Sequence, residues 1–323
     1  MTTPESNAVT IHIGMPKSAS TFLQEHLWKR CDALISCIPT DINNANEEPG
    51  CEKKVAMVLH GLMRLEENQF KSRRNEFKEL VNAFMDRPGP KVISNEGFAS
   101  ANYDPFGWHS RIVIASRLKD LFPDAKILMI ARNQWDFLIS WFIQMRNTGQ
   151  NFARVRTLKD MFEYETHLET LGISSLWGLC DYDELYQAYA DIFGANSLHV
   201  LAYEMLREDG EAFVSQVTKI VGLTDGDASM GKSDPTVSEN ARHTWSSIWV
   251  RSLGRRMPLL SGMLPEQVKQ SVTRISGLAG KAQPRLSEQH MEFITERYTE
   301  SNRRFSNLSG LDLKRFKYPG FSA

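Results

Sequence analysis

The sequence predicts a three-layer α/β/α fold with a central parallel sheet. Short apolar runs alternate along the chain with amphipathic segments, which is the pattern of strands joined by crossover helices. The run at residues 126–131 is almost entirely apolar, as expected for a parallel strand that is covered on both faces. A lysine, glutamate, arginine or tyrosine stands at or just after the end of each predicted strand, and such sheets bind ligands beyond the carboxyl ends of their strands.

Four strands and a series of helices are predicted from hydrophobic periodicity. The strands are at residues 9–13, 91–96, 126–131 and 197–204. After the helix that follows the first strand, two helices lie within residues 52–85, and others are predicted at 110–122, 135–145, 182–193, 211–221, 241–253 and 287–305. Residues 31–50, 147–156 and 224–240 are predicted as loops because proline, glycine, asparagine and other polar residues accumulate there. The segment 254–281 is a poorly patterned insert.

Composition favours one domain spanning residues 1–323, with a flexible N-terminus at residues 1–8. The formal net charge is −1, so no global basic field points to nucleic acid or to an anionic membrane, and any anion site must be local. The four cysteines have no C-x-x-C spacing, which indicates neither zinc nor a disulfide framework. Reduced thiols and the lack of an apolar run of ~20 residues predict a cytoplasmic protein.

The first strand is followed by a loop with the composition of an anion site. The β-branched run at residues 9–13 is ended by Gly14 and Pro16. A helix follows at once, and its apolar face includes Leu23 and Leu27. The first N–H groups of a helix lack internal partners and carry the positive end of the helix dipole, so they favour a phosphate group.

The loop departs from the nucleotide-triphosphate motif G-x-x-x-x-G-K-[ST]. Gly14 and Thr21 keep the spacing of that motif, but Ala19 and Ser20 stand where Gly-Lys is required. The lysine is Lys17, early in the loop, from where a cation reaches a bridging oxygen rather than the β- and γ-phosphates. The signal for ATP and Mg²⁺ is therefore weak, and no metal is expected.

The stretch P-K-S-A-S-T-F at residues 16–22 resembles the 5′-phosphosulfate loop of sulfotransferases that use PAPS, 3′-phosphoadenosine 5′-phosphosulfate. The usual form is P-K-S/T-G-T/S-T followed by an aromatic residue, so Ala19 replaces the common glycine. The alternative is an ordinary strand-to-helix turn with a surface lysine. The resemblance implies that the cofactor is bound by Lys17, Ser18, Ala19, Ser20, Thr21 and Phe22.

The segment after the third strand, R-N-Q-W-D-F-L-I-S, resembles the 3′-phosphate motif of the same family, R-N-P-x-D-x-x-x-S. Arg132, Asn133, Asp136 and Ser140 match, whereas Gln134 replaces the proline. The resemblance implies that Arg132 and Ser140 bind the 3′-phosphate, and an arginine suits this role because its fork of donors matches phosphate oxygens. The alternative is an arginine near a helix start that pairs with Asp136.

Two later blocks are similar to parts of the family that lie near the nucleotide. The fourth strand ends on Y-E, and in relatives the tyrosine, here Tyr203, lies near the adenine, with Phe22 available for the other face of the base. Tyr203 could equally be a core residue. The segment at residues 231–242 is similar to a loop that folds over the nucleotide, which implies that Lys232 and Asn240 reach the 3′-phosphate; a solvated loop is the alternative.

Glu96, which ends the second predicted strand, is the candidate general base. Burial at a strand tip raises the pKa of a carboxyl group toward the range useful in catalysis. The stretch S-N-E-G-F resembles the sulfotransferase branches that act on sugars, in which a glutamate takes the place of a histidine. His109, in a loop that could approach the acceptor, is a rival. His12 lies inside a strand and is better explained as a packed residue.

Together these blocks imply the P-loop-like sulfotransferase fold and transfer of a sulfuryl group from PAPS to an acceptor hydroxyl. Glu96 would take the hydroxyl proton, and Lys17 would stabilise the leaving phosphate oxygen. A sugar or glycan is the favoured acceptor, although a phenol or an alkyl alcohol would also suit the aromatic residues available. Those aromatic residues are Phe98, Tyr103, Phe106, Trp108 and Phe152.

Two alternatives stay open. The first is a P-loop kinase, against which the early position of Lys17 argues. The second is a nucleotide-binding regulatory module that keeps the fold without turnover. Only Glu96 separates this module from an enzyme, because nucleotide binding requires Lys17 and Arg132 but no base.

Overall fold

The computed structural model describes residues 9–28, 35–37, 51–99, 109–148, 155–173, 175–223 and 284–321. The chain divides into two compact units. The first unit consists of Met1–Asn133, Ser174–Lys232 and Arg297–Ala323, and the second of Gln134–Ile173 and Ser233–Glu296. This division does not test the interpretation of residues 1–323 as one sulfotransferase domain, which stays a prediction.

The first unit is built on a five-stranded sheet with the order β2-β3-β1-β4-β5. The strands are β1 (Val9–Gly14), β2 (Ile35–Cys37), β3 (Lys91–Ser94), β4 (Lys126–Ala131) and β5 (Leu198–Ala202). Every pair of neighbours is parallel, with β1 at the centre. The carboxyl ends of the strands therefore meet at one edge of the sheet, which confirms the predicted α/β class.

Helices lie between the strands in the sequence and also follow the last strand. They are α1 (Ser20–Phe22), which runs on into a π-helix (Leu23–Leu27), α2 (Cys51–Arg64), α3 (Glu67–Met85), α4 (Arg111–Leu121), α5 (Gln134–Thr148), α6 (Leu158–Thr170), α7 (Leu176–Leu179), α8 (Tyr182–Phe193), α9 (Tyr203–Glu208), α10 (Gly210–Val221) and α11 (Glu288–Ser309). The predicted helix at residues 241–253 lies outside the described residues. None of the described helices combines the length and apolar character needed to cross a membrane.

Local capping explains why α10 begins and ends where it does. The Asp209 carboxylate accepts a hydrogen bond from the Ala212 N–H at 2.9 Å, which satisfies one of the free donors of the first turn. Gly222 ends the helix with a φ of 89°, a conformation that glycine adopts without steric cost. Helix α10 matches the helix predicted at residues 211–221, including its terminal glycine.

One face of the sheet packs on the helix that follows β1 and on α10. The buried cluster between them consists of Leu23, Leu27, Trp28, Val92, Leu128, Ile130, Leu201, Phe213, Val214, Val217, Val221 and Leu223. Helix α8 contacts β4 and β5. Because Leu23 and Leu27 are buried in this cluster, the helix after β1 packs against the sheet and anchors the far end of the loop between them.

The structure corrects two boundaries at the carboxyl edge of the sheet and adds a strand. Residues 31–50, predicted as a loop, contain β2, which has only three residues and is too short to give a period-2 pattern. Strand β3 ends at Ser94, and Glu96 begins a 3-10 turn (Glu96–Ala99). Strand β5 ends at Ala202, and Tyr203 begins α9, whose residues are mostly good helix formers.

Candidate functional site

Gly14 brings the loop after β1 against the turn that carries Glu96. Its φ of 101° lies in the left-handed half of conformational space, which favours glycine. A Cβ atom added there would lie 3.3 Å from Glu96 Cα and 3.3 Å from Pro16 N. Any other residue at position 14 would therefore be strained and would push the loop and the glutamate turn apart.

The loop backbone has two further residues in the left-handed region, and neither is a glycine. Lys17 has a φ of 62°, and Ala19, which precedes α1, has a φ of 67°. Such conformations are uncommon for residues with a Cβ atom and are kept only where the surrounding contacts hold them. The position of Ala19 explains why the related motif has a glycine there.

The loop offers a group of backbone donors to an anion. The N–H groups of Lys17, Ala19, Ser20 and Thr21 find no acceptor among the residues that the structure describes. The Thr21 side chain is exposed. Successive N–H groups around left-handed residues form a concavity that binds phosphate-like anions, so the loop has the donors that such a ligand requires.

Ser18 differs from its neighbours because its donors are used within the loop. The Ser18 N–H donates to the Met15 carbonyl at 3.2 Å, and its buried hydroxyl points to the Pro16 carbonyl at 3.4 Å. Ser18 therefore shapes the loop, and its contact with a cofactor stays a prediction.

Lys17 and Glu96 are close enough for each to influence the protonation of the other. Burial lowers the pKa of Lys17, the Glu96 carboxylate partly offsets this, and the Arg132 charge lowers the pKa further. Burial raises the pKa of Glu96, while a hydrogen bond from Ser20 and the charge of Lys17 act in the opposite direction. Both side chains keep a partly exposed face. The pair thus combines a proton acceptor and a cation at one end of the sheet.

The Ser20 hydroxyl supports the Glu96 carboxylate. Its single proton has two acceptors within range, the Met15 carbonyl and the Glu96 carboxylate. The distance to the Met15 carbonyl is 3.5 Å, which is long for an O–H donor, and a charged acceptor forms the stronger bond. We therefore assign the proton to Glu96.

Arg132, directly after β4, joins the same group. Its Nη1 donates to the Lys17 carbonyl oxygen, and its guanidinium lies 4.4 Å from the centroid of the Tyr203 ring. Its Nε is buried and has no acceptor within the described part of the chain. Lys17, Glu96 and Arg132, which sequence analysis proposed from three separate blocks, are thus brought together at the carboxyl edge of the sheet.

A network behind Arg132 holds the end of β4. The Tyr182 hydroxyl donates to the Arg132 carbonyl at 2.6 Å. The Asn133 N–H donates to Glu204 Oε1 at 2.9 Å, and the Tyr318 hydroxyl donates to Glu204 Oε2 at 3.1 Å. Burial raises the pKa of Glu204, and these hydrogen bonds partly offset the shift. The glutamate of the Y-E block therefore positions the strand end.

The C-terminal segment belongs to this network, which sequence analysis missed. The Asn133 side-chain amide donates to the carbonyls of Phe316 and Lys317 at 3.1 and 2.9 Å. The one sequence feature that marks this segment is the K-Y-P stretch, in which Tyr318 is followed by a proline. No local pattern links such a stretch to residues 133 or 204, because the contacts span more than a hundred positions.

The two histidines considered as rival bases have other partners. His109 Nε2 lies 2.7 Å from the Leu65 carbonyl oxygen. Because a carbonyl oxygen only accepts, this nitrogen carries the proton. His12 is fully buried, with its Nδ1 3.0 Å from Ser94 Oγ, and burial lowers its pKa to about 3. Ser94 in turn accepts from Gln24 at 2.9 Å. His12 is therefore a packed, neutral residue.

Tyr203 joins the group through its contact with Arg132, and the roles of the other predicted site residues stay predictions. Ser140 lies on α5, in the second unit. Lys232 and Asn240 lie outside the described residues. Phe22 and Tyr203 both pack against the buried cluster of the sheet and keep partly exposed surfaces. One expected acceptor contact is wrong: Phe98 is fully buried in the core, whereas the other aromatic residues proposed with it lie outside the described residues.

A sequence profile described as the sulfotransferase family matches residues 10–227, which is more than half of the chain. The chain belongs to the sulfotransferase family. The matched region includes all of β1 except Val9, the loop after it, Glu96, Arg132 and Tyr203. No curated protein sequence matches the chain.

Solved structures of sulfotransferases resemble this one. A sulfotransferase from Alicyclobacillus acidocaldarius is 15% identical with a TM-score of 0.56, and the match covers 98% of this chain and 100% of that chain. This similarity supports the same fold. Mouse sulfotransferase SULT7A1, complexed with PAP, is 12% identical with a TM-score of 0.45 over 97% and 89% of the two chains. The sulfotransferase domain from the curacin biosynthetic pathway is 13% identical with a TM-score of 0.37, and the match covers 72% of this chain and 80% of that chain.

Proposed function

We propose that this sulfotransferase moves a sulfuryl group from PAPS to an acceptor hydroxyl. The observation that carries the proposal is the convergence of Lys17, Glu96 and Arg132 around a loop whose N–H donors have no acceptor within the described residues. Membership of the family supports sulfuryl transfer in general. The choice of PAPS and the roles of individual residues are what the proposal adds.

The donors at the sheet edge fit the two anionic ends of PAPS. The free N–H groups of the loop and the Lys17 ammonium suit the 5′-phosphosulfate. Arg132 uses Nη1 on the Lys17 carbonyl, which leaves Nη2 for a charge-assisted hydrogen bond to a 3′-phosphate. Bound PAPS supplies the sulfuryl group and carries the 5′-phosphate that leaves.

Glu96 and Lys17 take the two charge-handling roles. As the bond between the acceptor oxygen and sulfur forms, Glu96 receives the hydroxyl proton; as the bond between sulfur and the phosphate oxygen breaks, Lys17 stabilises the charge on that oxygen. The raised pKa of Glu96 makes it a better proton acceptor than an ordinary carboxylate. Ser20 holds the carboxylate oriented through its hydrogen bond.

The proposal also covers the finer expectations from the sequence. A sugar or glycan hydroxyl is the proposed acceptor, because a glutamate at the strand tip resembles the carbohydrate branches. Ser140, Lys232 and Asn240 are proposed as further 3′-phosphate ligands, and Phe22 and Tyr203 as neighbours of the adenine. No metal takes part in the proposed step, and a cytoplasmic location is part of the proposal.

Calorimetry with nucleotides tests the cofactor. PAP, 3′-phosphoadenosine 5′-phosphate, should bind far more tightly than AMP, and more tightly than ATP with or without Mg²⁺. Arg132→Ala should weaken PAP binding by about 2–4 kcal/mol, because a charge-assisted contact with the 3′-phosphate is lost. Arg73→Ala is the matched control, since it removes one exposed arginine that pairs with Glu76 on α3. Equal affinity for AMP and PAP would contradict the proposal.

A screen of hydroxyl acceptors with labelled PAPS, followed by Glu96→Gln, tests turnover. The substitution keeps the shape of the side chain but removes the base, so turnover should fall by roughly 10²–10⁴-fold while PAP affinity changes little. His109→Gln is the control, because glutamine can still donate to the Leu65 carbonyl. Normal turnover of Glu96→Gln together with an inactive His109→Gln would move the base to His109. PAP binding without any sulfated acceptor would favour the regulatory module.

A further inference from the structure

The peptide plane between Lys17 and Ser18 is held from both sides. Its carbonyl oxygen accepts a hydrogen bond from Arg132 Nη1, and its N–H donates to the Met15 carbonyl at 3.2 Å. This plane adjoins the Lys17 Cα, whose φ of 62° is uncommon for a lysine. Because such a conformation persists only where contacts hold it, the two hydrogen bonds are the described contacts that fix the Lys17 backbone.

Arg132 is itself fixed at both ends of its side chain. The guanidinium stacks on the Tyr203 ring at 4.4 Å. The Arg132 carbonyl accepts from the Tyr182 hydroxyl at 2.6 Å, and the next N–H, that of Asn133, donates to Glu204. A side chain anchored at its backbone and over its tip has little freedom left, so it can impose a position on the Lys17 carbonyl.

Arg132 therefore has two functional edges. Nη1 is used on the backbone of the phosphosulfate loop, whereas Nη2, on the other side of the planar group, has no acceptor within the described ranges; the Nε beside it is buried. A phosphate on the second edge would orient the same planar group that holds the loop on the first edge. The rigid guanidinium thus links two ligand subsites that lie on different strand ends.

We propose that Arg132 is a positioning residue for Lys17 as well as a ligand of the 3′-phosphate. By holding the Lys17 carbonyl, it sets the direction of the lysine and of the neighbouring loop N–H groups toward the 5′-phosphosulfate. This inference rests on the proposed function and deepens it. It adds a coupling between the two ends of the nucleotide, so each end promotes binding of the other.

A ligand without a 3′-phosphate separates the two roles. Adenosine 5′-phosphosulfate has the phosphosulfate end alone, whereas PAP has the 3′-phosphate. With calorimetry on the full chain, Arg132→Ala should weaken PAP binding and should also weaken adenosine 5′-phosphosulfate binding by at least about tenfold. If Arg132 served the 3′-phosphate only, the affinity for adenosine 5′-phosphosulfate would stay within about twofold of wild type, and the inference would be wrong.

Arg132→Lys distinguishes positioning from long-range charge. Lysine keeps the positive charge but has neither the planar stack on Tyr203 nor two edges. We expect it to recover part of the PAP affinity and little of the affinity for adenosine 5′-phosphosulfate. Full recovery of both would mean that charge alone explains the effect, and would overturn the inference. Arg73→Ala, which changes net charge as Arg132→Ala does, should leave both affinities unchanged.

The two possible failures can be told apart. If the wild-type chain binds PAP no more tightly than AMP, the proposed function fails, whatever Arg132→Ala does. If wild type prefers PAP but Arg132→Ala leaves adenosine 5′-phosphosulfate binding intact, only the positioning role fails. Thermal melting establishes that each variant is folded; if Arg132→Ala is not, Arg132→Lys and Arg132→Gln carry the same comparison.

Discussion

Two regions of the first unit contain an arginine with similar surroundings. At the junction of α2 and α4, the Arg117 guanidinium lies 4.7 Å from the Phe70 ring centroid. At the carboxyl edge of the sheet, the Arg132 guanidinium lies 4.4 Å from the Tyr203 ring centroid. Each arginine donates to at least one backbone carbonyl, and the Nε of each is buried without an acceptor in the described part of the chain.

The two arginines differ in how many donors are used. Arg117 donates to the carbonyls of Leu62 and Leu65, both at 2.8 Å, and to Glu67 at 3.1 Å, so it neutralises the C-terminal end of α2. Arg132 donates to one carbonyl. A buried arginine whose Nε has no acceptor is therefore not, by itself, evidence of a ligand site. The distinguishing feature is an unused guanidinium donor, Arg132 Nη2, beside loop N–H groups that also have no acceptor in the described part of the chain.

The largest expected effect is on stability, and it should differ between the two arginines. Arg117→Ala should lower the free energy of unfolding by about 2–4 kcal/mol, because three acceptors lose a donor at a site where the arginine side chain is 4% exposed. Arg132→Ala should lower it by less than about 1 kcal/mol, since most of its donors are unused. Urea unfolding measures both values.

Arg117→Lys provides the matched control for this comparison. A lysine can reach one of the carbonyls but cannot serve all three acceptors, so its stability should lie between those of wild type and Arg117→Ala. Equal losses of unfolding free energy for Arg117→Ala and Arg132→Ala would show that the unused donor of Arg132 does not reflect a different role.

The charged pair at the sheet edge should appear in the pH profile of kcat/KM. Glu96 must be ionised to accept a proton, and its pKa is raised above the ordinary value of 4.5, so the acidic limb should lie above that value. Lys17 must be charged, and its pKa is lowered below 10.5, so the basic limb should lie below that value. Each limb should fall about tenfold per pH unit.

Glu96→Gln identifies the acidic limb. The residual activity of this variant should no longer fall in that range, because the group that titrates there is gone. An acidic limb of the wild type at or below 4.5 would mean that Glu96 is not desolvated in the working enzyme.

A smaller effect concerns the stability cost of Glu96. Because its pKa is raised in the folded state, the protonated form is favoured by folding, and the ionised form lowers stability above the folded pKa. Glu96→Gln should therefore raise Tm by about 1–3 °C at pH 8, and the gain should disappear as the pH falls below 4.5. Differential scanning calorimetry at both pH values measures this.

Glu204→Gln is the contrasting variant. The pKa of Glu204 is also raised by burial, but both carboxylate oxygens accept hydrogen bonds, from the Asn133 N–H and the Tyr318 hydroxyl. A glutamine offers one acceptor in place of two, so this variant should lose stability at pH 8. A loss for Glu96→Gln as well would show that Glu96 is structural.

The helical elements and the order of the fold were predictable because they depend on local patterns. Helix α8, with bounds Tyr182–Phe193, agrees with the predicted helix at residues 182–193, whose apolar spacing ends at Gly194. Strand β2 was not predictable in this way, since three residues give no period. Glu96 and Tyr203 were assigned to strands, but each begins a helical turn after the sheet, where propensity outweighs a short apolar run.

The site was predictable in composition but not in its connections. Lys17, Glu96 and Arg132 were found from motifs, because each follows a strand. The contacts among them were not: the Arg132–Lys17 hydrogen bond joins residues 115 positions apart, and Glu204 binds Tyr318 across 114 positions. Hydrogen bonds of that range depend on how the sheet is assembled, and a single sequence holds no local signal for them.

The smallest expected effect is on stability, and it compares alanine-to-glycine changes in the loop after β1 and in α4 to test whether the loop backbone is strained. Ala19 has a φ of 67°, whereas Ala115 is a buried residue within α4. Ala19→Gly relieves a left-handed conformation that costs an alanine about 1 kcal/mol, partly offset by the greater freedom of glycine in the unfolded chain. We expect a gain of about 0.5 kcal/mol in the free energy of unfolding. Ala115→Gly, the same change in a helix, should lose at least about 0.5–1 kcal/mol. Urea unfolding should thus give opposite signs, and a loss at both positions would mean that the loop holds Ala19 without strain.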